Sequence, residues 1–163
     1  MKSIVIYYSR SGKTEAIAKK LEETFESELL KVEPAKEYTT FVSAVSRVVS
    51  EKKEQKVVEF MNEIPTLSSY ELIFIGYPIW AGDMPDFMAE FIHHLDLEGK
   101  TIIPFCTFAM NDIDKSLLTL RAVAPNAKIE IPYNYGLLKK DSYDEWVKQI
   151  KDLLLKRKER KIL

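Results

Sequence analysis

Residues 4–25 read IVIYYSRSGKTEAIAKKLEETF and decide the fold. Five apolar residues open the stretch, as in a buried β-strand, and Ile17, Leu21 and Phe25 then recur every fourth position, as in an amphipathic helix. Between these two patterns lies a short run of small, hydroxyl-bearing and cationic residues. The stretch therefore predicts a strand, a tight loop and a helix in succession.

The loop between the predicted strand and helix favours a phosphate. The first backbone N–H groups of a helix have no partner inside the helix, and the helix dipole adds positive potential at the same end. Serine and threonine hydroxyls can donate further hydrogen bonds to an anion. The loop residues are Ser9, Arg10, Ser11, Gly12, Lys13 and Thr14.

Two other interpretations of this loop stay open. Residues 12–14 match the end of the triphosphate-binding motif G-x-x-x-x-G-K-[ST], but that motif needs glycine at position 7, which is Tyr7 in this chain. A triphosphate is therefore disfavoured. The simpler alternative is a hydroxyl-rich turn that binds nothing.

Composition bounds the class of protein. The 163 residues, 46% of them hydrophobic, are enough for one domain spanning residues 1–163. We expect a cytoplasmic protein without a membrane partner, because no apolar run approaches the roughly 20 residues of a membrane span and the start is too short for a signal peptide. The single cysteine, Cys106, excludes an internal disulfide. The adjacent residues His93 and His94 diverge on a helix, so we expect no metal site there.

Charge gives little reason to expect a nucleic-acid partner. The net charge is −1. Basic residues are concentrated after position 139, where they interleave with apolar positions. That pattern is typical of a core-packed helix with a solvated face.

Strand and helix patterns alternate along the chain, which predicts a parallel sheet with helices on both faces. Residues 33–70 have a helical spacing of apolar residues and no glycine, so we expect one or two helices there. The predicted strands are Ser3–Tyr8, Glu28–Val32, Leu72–Tyr77, Thr101–Cys106 and Ala127–Ile131. The other predicted helices are Lys13–Phe25, Pro85–His94, Lys115–Val123 and Tyr143–Lys158.

Two further loops are expected beside the phosphate loop, because ligands of open parallel sheets bind at the carboxyl ends of the strands. Both place apolar surface next to polar groups, which suits a phosphorylated planar aromatic ligand. Trp80 taken alone fits equally well as a residue that fills a gap between loop and core. The loop after the third strand contains Pro78, Ile79, Trp80, Ala81 and Gly82, and the loop after the fourth contains Thr107, Phe108, Ala109, Met110, Asn111 and Asp112.

Together these motifs resemble the flavodoxins over nearly the whole chain. Residues 9–14 look like the [ST]-x-[ST]-G-x-T flavin-phosphate motif, and residues 76–85 are similar to the flavin-flanking loop of a bacterial flavodoxin-like group. Residues 97–105 look like that group's entry to strand four. The resemblance implies a doubly wound α/β fold with a five-stranded parallel sheet of order 2-1-3-4-5, and non-covalently bound FMN.

The resemblance also implies roles for the loop residues. Ser9, Ser11, Gly12 and Thr14 would cradle the FMN phosphate, whereas the two cations of the loop, Arg10 and Lys13, would face outward. Trp80 would lie against one face of the isoalloxazine ring, and the backbone of residues 79–82 would face its redox edge. Residues 107–112 would meet the pyrimidine end of the ring.

The implied function is electron transfer through FMN, with reductase and acceptor proteins as partners that the sequence does not identify. No side chain receives a catalytic or metal-binding role. One alternative is an NAD(P)H-dependent quinone or flavin reductase, which would need a nicotinamide site, although no G-x-G-x-x-G motif is present. A second alternative is a flavodoxin-like interaction domain that has lost FMN.

Overall fold

The computed structural model describes residues 1–54, 59–108, 112–136 and 141–162. Within these ranges strands and helices alternate along the chain, as the sequence predicts. The strands are β1 (Ser3–Tyr7), β2 (Glu28–Lys31), β3 (Leu72–Pro78), β4 (Thr101–Phe108), β5 (Lys128–Ile129) and β6 (Tyr133–Gly136). The helices are α1 (Lys13–Phe25), α2 (Phe41–Glu54), α3 (Asp86–His93), α4 (Asp114–Val123) and α5 (Tyr143–Ile162).

The sheet is parallel and has the order β2-β1-β3-β4-β5, with β6 pairing β4 beyond the end of β5. Side chains of α1 and α5 cover one face, and side chains of α2, α3 and α4 cover the other. The predicted doubly wound α/β fold and strand order are therefore confirmed. Strands β1 and β3 are buried along their whole length, and β4 along all but its last residue.

Strand β6 is not predicted from the sequence, and Pro104 of β4 accounts for the irregularity that precedes it. The Ile102 carbonyl accepts a hydrogen bond from the Glu130 amide at 2.9 Å. The backbone N–H and C=O groups of every second residue of β4, starting at Ile102, therefore point toward the outer strand. Pro104 faces that side and has no N–H to donate. The outer strand breaks opposite it, and Ile131 at the break has a φ of 45°.

This break inserts one extra residue into the outer strand. Ile102 pairs with Ile129, and Phe105 pairs with Tyr133. Two residues of β4 therefore lie opposite three residues of its neighbour, which is a β-bulge. A shift of one residue moves every following side chain to the opposite face of the sheet.

The segment between β2 and β3 contains the expected helical structure in its first half. Helix α2 confirms one helix, whereas residues 59–70 contain a turn and a bridge from Phe60 to Pro34 and no helix. The apolar residues Val57 and Val58 lie outside the described residues. At the other end of the chain, α5 continues four residues past its predicted end at Lys158.

Across the described ranges, no helix combines the length and the apolar character needed to cross a lipid bilayer.

Close packing at Gly76 gives a test of the sheet. Gly76 pairs with Phe105, and a Cβ at position 76 would lie 2.1 Å from the Phe105 ring. We expect Gly76→Ala to lower the free energy of unfolding by about 2–3 kcal/mol, because the ring has no free space to enter. Urea denaturation measures this loss.

The matched variant is Phe105→Leu, which shortens the side chain that causes the clash. In the double variant Gly76→Ala with Phe105→Leu, the loss in unfolding free energy should be smaller than the sum of the two single losses. Additive losses would contradict the packing described.

Candidate functional site

A cleft of about 580 Å³ opens at the carboxyl edge of the sheet. Its volume lies within the range of small-molecule and cofactor sites. Four chain segments meet there: the β1–α1 loop, the end of β3, the end of β4 and the end of β6. The lining residues are Ser9, Arg10, Ser11, Lys13, Thr14, Pro78, Ile79, Trp80, Thr107, Phe108, Tyr135, Gly136 and Asp141.

The β1–α1 loop points hydrogen-bond donors at one end of this cleft. Gly12 has a φ of 93°, a left-handed conformation that favours glycine, and donates its N–H to Ser9 Oγ at 3.0 Å. The first backbone bond of α1 runs from the Ala16 N–H to the Gly12 carbonyl, so the amides of residues 13–15 have no partner inside the helix. No described side chain caps this end of α1. The free amides suit an anion.

Hydroxyl groups and cations add to these amides. Thr14 and Thr107 are both buried, and their hydroxyl oxygens lie 2.8 Å apart. One hydroxyl of the pair donates to the other, which leaves one O–H proton for a further acceptor. Arg10 is half-buried and Lys13 is exposed, and neither has an ion-pair partner among the described residues.

A tight turn follows β3 at the other end of the cleft. Trp80 and Asp83 exchange two backbone hydrogen bonds, of 2.9 and 3.2 Å. The central residues Ala81 and Gly82 have φ values of 52° and 79°, as in a type I′ turn. The peptide group between Ala81 and Gly82 takes no part in the two Trp80–Asp83 hydrogen bonds. It is therefore free to face a ligand.

The Asp83 carboxylate anchors this turn to the body of the protein. Asp83 is buried, and its Oδ1 accepts the Met84 N–H at 2.8 Å. Its Oδ2 accepts the Thr119 hydroxyl at 3.0 Å and lies 3.9 Å from Lys52 Nζ. The turn is thus tied to α4 and to α2.

Trp80 is only 3% exposed, because aromatic rings surround its indole. The Tyr8 ring lies 5.7 Å from it, edge to face, and the Tyr38 ring lies 4.9 Å away. Tyr38 in turn donates its hydroxyl to Glu51 Oε2 at 3.0 Å. The Arg47 guanidinium lies 3.9 Å from the centre of the Tyr38 ring and donates to Glu51 Oε1 at 2.6 Å. Helix α2 and the segment before it thereby hold the indole in place.

Two ionisable side chains, Tyr8 and Cys106, neighbour cleft residues along the chain and are buried. Burial raises the pKa of the Tyr8 hydroxyl well above its usual range, and this hydroxyl has no hydrogen-bond partner among the described residues. Burial also raises the pKa of the Cys106 thiol to about 12. Neither group ionises at neutral pH, so neither provides a nucleophile.

The structure brings most of the predicted site residues together. Residues of the first loop, residues 78–80 and residues 107 and 108 line one cleft. Gly12, Ala81 and Gly82 shape the backbone beside it, and Asp112 accepts the Ile113 amide at 2.6 Å before α4. The predicted residues Ala109, Met110 and Asn111 lie outside the described residues.

Sequence reasoning misses the residues that β6 and the following segment contribute to the cleft. They are Tyr135, Gly136 and Asp141. The rule that found the other loops applies to them as well, since Tyr135 and Gly136 end β6 and Asp141 comes after it. Without β6, however, there is no predicted strand end at this place.

Comparisons with known proteins agree on one family. The family model described as flavodoxin matches residues 2–150. A candidate flavoprotein from Bacteroides uniformis ATCC 8492 is similar in structure, with 27% identity, a TM-score of 0.76, and coverage of 90% of this chain and 97% of that one. A candidate flavoprotein from Bacteroides eggerthii DSM 20697 has 27% identity, a TM-score of 0.73 and coverage of 92% and 98%.

A flavoprotein from Lactobacillus acidophilus NCFM, solved in complex with FMN, shares the fold at 20% identity. Its TM-score is 0.68, with coverage of 82% of this chain and 92% of that one. No curated protein sequence matches the chain.

The anchoring role of Asp83 can be tested by stability. We expect Asp83→Ala to lower the free energy of unfolding by about 2–3 kcal/mol, because it leaves the buried Met84 N–H and the Thr119 hydroxyl without an acceptor. Thr119→Val removes only one of these bonds and should cost about 1 kcal/mol. Equal losses in urea denaturation of the two variants would show that Asp83 does not anchor the turn.

Proposed function

The chain belongs to the flavodoxin family, and we propose that it binds FMN in the cleft at the sheet edge and transfers electrons through it. One observation carries the proposal: a cradle of free amides and hydroxyls and a set of aromatic walls line the same cleft. A phosphate at one end and a planar aromatic ring at the other match that arrangement. The FMN complex of the similarly folded Lactobacillus protein supports the choice of cofactor.

The residues of the β1–α1 loop fit the phosphate of FMN. The amides of residues 13–15 and the hydroxyls of Ser9 and Ser11 donate to the phosphate oxygens. The Thr14–Thr107 pair supplies one more O–H and holds the loop against β4. Arg10 and Lys13 balance the negative charge from the rim of the cleft.

The isoalloxazine ring lies toward the loop after β3. Trp80 forms the inner wall, and the free peptide between Ala81 and Gly82 faces the redox edge of the ring. The apolar residues Pro78 and Ile79 exclude water from this end. The pyrimidine end of the ring lies toward Thr107 and Phe108 at the end of β4.

Bound FMN supplies a ring system that accepts and releases one or two electrons. The protein contributes the environment of that ring. The buried indole and the turn are held rigidly by Tyr38 and Asp83, so the groups that contact the ring are preorganised. We assign no covalent role to a side chain, and we propose that partner proteins supply and remove the electrons.

Binding of FMN is the first expected result. The protein purified from cells should carry about one FMN per chain, or apoprotein should take up FMN when it is added. Flavin absorbance, with chromatography of the released cofactor, measures this. Apoprotein that does not bind saturating FMN would refute the proposed function.

The phosphate loop gives a sharper expectation. Each charge-assisted hydrogen bond to the phosphate contributes about 1.5–3 kcal/mol, and several act together. Riboflavin, which has the same ring and lacks the phosphate, should therefore bind at least about a hundredfold more weakly than FMN. Equal affinity for FMN and riboflavin would mean that the loop is a hydroxyl-rich turn that does not bind the phosphate.

Gly12→Val should narrow the difference between FMN and riboflavin, because valine is strained at a φ of 93° and shifts the amides of the cradle. The control is Lys19→Ala, which removes an exposed cation further along α1 and should leave the ratio of the two affinities unchanged. Titrations of apoprotein with both flavins compare the variants. Equal ratios in wild type and Gly12→Val would place the phosphate elsewhere.

Electron transfer is tested separately from binding. A carrier oxidises NADPH slowly, because it has no nicotinamide site over the ring. The measurement is steady-state NADPH oxidation by the FMN-loaded protein with a quinone as acceptor. If NADPH oxidation is rapid and its rate saturates with NADPH concentration, the protein is a reductase and not a carrier.

A further inference from the structure

We propose that the solvent-facing side of α5 is a docking surface for an anionic membrane. The contact is peripheral: a basic helix with exposed apolar residues lies at the boundary between headgroups and acyl chains and needs no segment that spans the bilayer. The proposal therefore departs from the expectation, drawn from the sequence, of a protein without a membrane partner. It goes beyond the proposed binding of FMN and does not depend on it.

The last part of α5 lies outside the region that the flavodoxin model matches. The match ends at residue 150, and the helix continues to Ile162. Residues 151–162 contain six cationic and two acidic side chains. Beyond Ile150 the side chains of the helix are half-buried or exposed. The flavin site and the buried core therefore do not explain the composition of this part of α5.

One face of α5 presents two apolar side chains between lysines. Leu155 is 58% exposed and Ile162 is 84% exposed, and they lie two helical turns apart. Three exposed lysines share the face, because residues three and four apart are neighbours on a helix. We call this surface the outer face of α5; it consists of Lys148, Lys151, Leu155, Lys158 and Ile162.

The lysines of the outer face are available to a partner. None of them has an ion-pair partner among the described residues. Their charge complements anionic lipid headgroups, each basic residue adding to the attraction. The two apolar side chains between them can enter the acyl boundary. A nucleic acid would use the same cations but would not need the apolar pair, so the outer face favours lipid.

Contacts on another side of α5 orient the helix. Arg157 donates to Glu130 Oε1 at 2.8 Å and to Thr101 Oγ1 at 2.6 Å. Lys161 Nζ lies 3.4 Å from Glu71 Oε2. These cations are directed at the body of the protein, so the outer face stays turned toward solvent.

The end of α5 is remote from the cleft. Arg157 contacts Thr101, the first residue of β4, whereas Phe108 at the other end of β4 lines the cleft. A strand of eight residues spans about 23 Å. A membrane bound at the end of α5 therefore leaves the cleft open.

The test is co-sedimentation of the purified protein with lipid vesicles. One set contains phosphatidylcholine alone, and the other also contains about one third phosphatidylglycerol, which is anionic. We expect binding to the anionic vesicles only. The binding should weaken as salt is raised, because salt screens the attraction between the lysines and the headgroups.

Two double variants separate the apolar and the cationic parts of the contact. Leu155→Ser with Ile162→Ser should weaken binding to anionic vesicles roughly tenfold. Lys151→Gln with Lys158→Gln should weaken it roughly tenfold to thirtyfold. All four side chains are exposed, so the urea denaturation midpoints should equal that of wild type.

Helix α4, on the opposite face of the sheet, supplies matched controls. Lys115→Gln with Arg121→Gln removes the same charge from exposed positions, and Leu118→Ser removes an apolar side chain that is 64% exposed. Both controls should bind anionic vesicles as the wild type does.

The proposal fails if wild type does not bind anionic vesicles at low salt, or if the controls weaken binding as much as the α5 variants do. It also fails if the serine double variant binds the vesicles unchanged. A duplex DNA fragment is titrated in the same buffer. DNA binding that the glutamine double variant of α5 abolishes and the serine double variant leaves unchanged would assign the outer face to nucleic acid instead. None of these measurements needs flavin, so their failure leaves the proposed function intact.

Discussion

The site depends on the burial of both faces of the three central strands. Strands β1, β3 and β4 pair side by side, and almost all of their side chains are buried under helices. Their backbone donors and acceptors are used by the ladder, and polar ligands have no access to either face. Free amides are found beyond the end of β1, at the start of α1. Because the strands are parallel and adjacent, their carboxyl ends open into one cleft.

Each wall of this cleft is held by a different physical constraint. On one side, the Asp83 carboxylate and the Tyr38 ring fix the turn that carries Trp80. On the other side, the missing N–H of Pro104 breaks the outer strand, and the added residue turns Tyr135 toward the cleft. The inner wall is thus rigid because its polar groups are satisfied. The outer wall is placed by strand register.

The sequence predicts those parts of the fold and the site that depend on interactions between residues close together in the chain. It does not predict the parts that depend on residues far apart. The strand–loop–helix unit of residues 4–25 is set by local periodicity and by Gly12, and α1 has the predicted bounds. The outer strand depends on Pro104, some thirty residues earlier in the chain, so local pattern does not find β6 or Tyr135. The same holds for Trp80. Its sequence neighbours suggest a stacking residue, but its burial depends on Tyr38 and Arg47, which lie far away along the chain.

The distribution of charge bears on how a partner protein would meet the proposed cofactor. Behind the inner wall, Arg47 and Glu51 neutralise each other at 2.6 Å, and Lys52 pairs with Asp86 at 2.5 Å. The cations that line the cleft, Arg10 and Lys13, lie at the phosphate loop. With a net charge of −1 for the whole chain, little field extends beyond a Debye length of about 8–10 Å. The net charge therefore supplies little electrostatic steering of a partner. A partner of the proposed electron carrier would therefore meet the cleft mainly through short-range contacts.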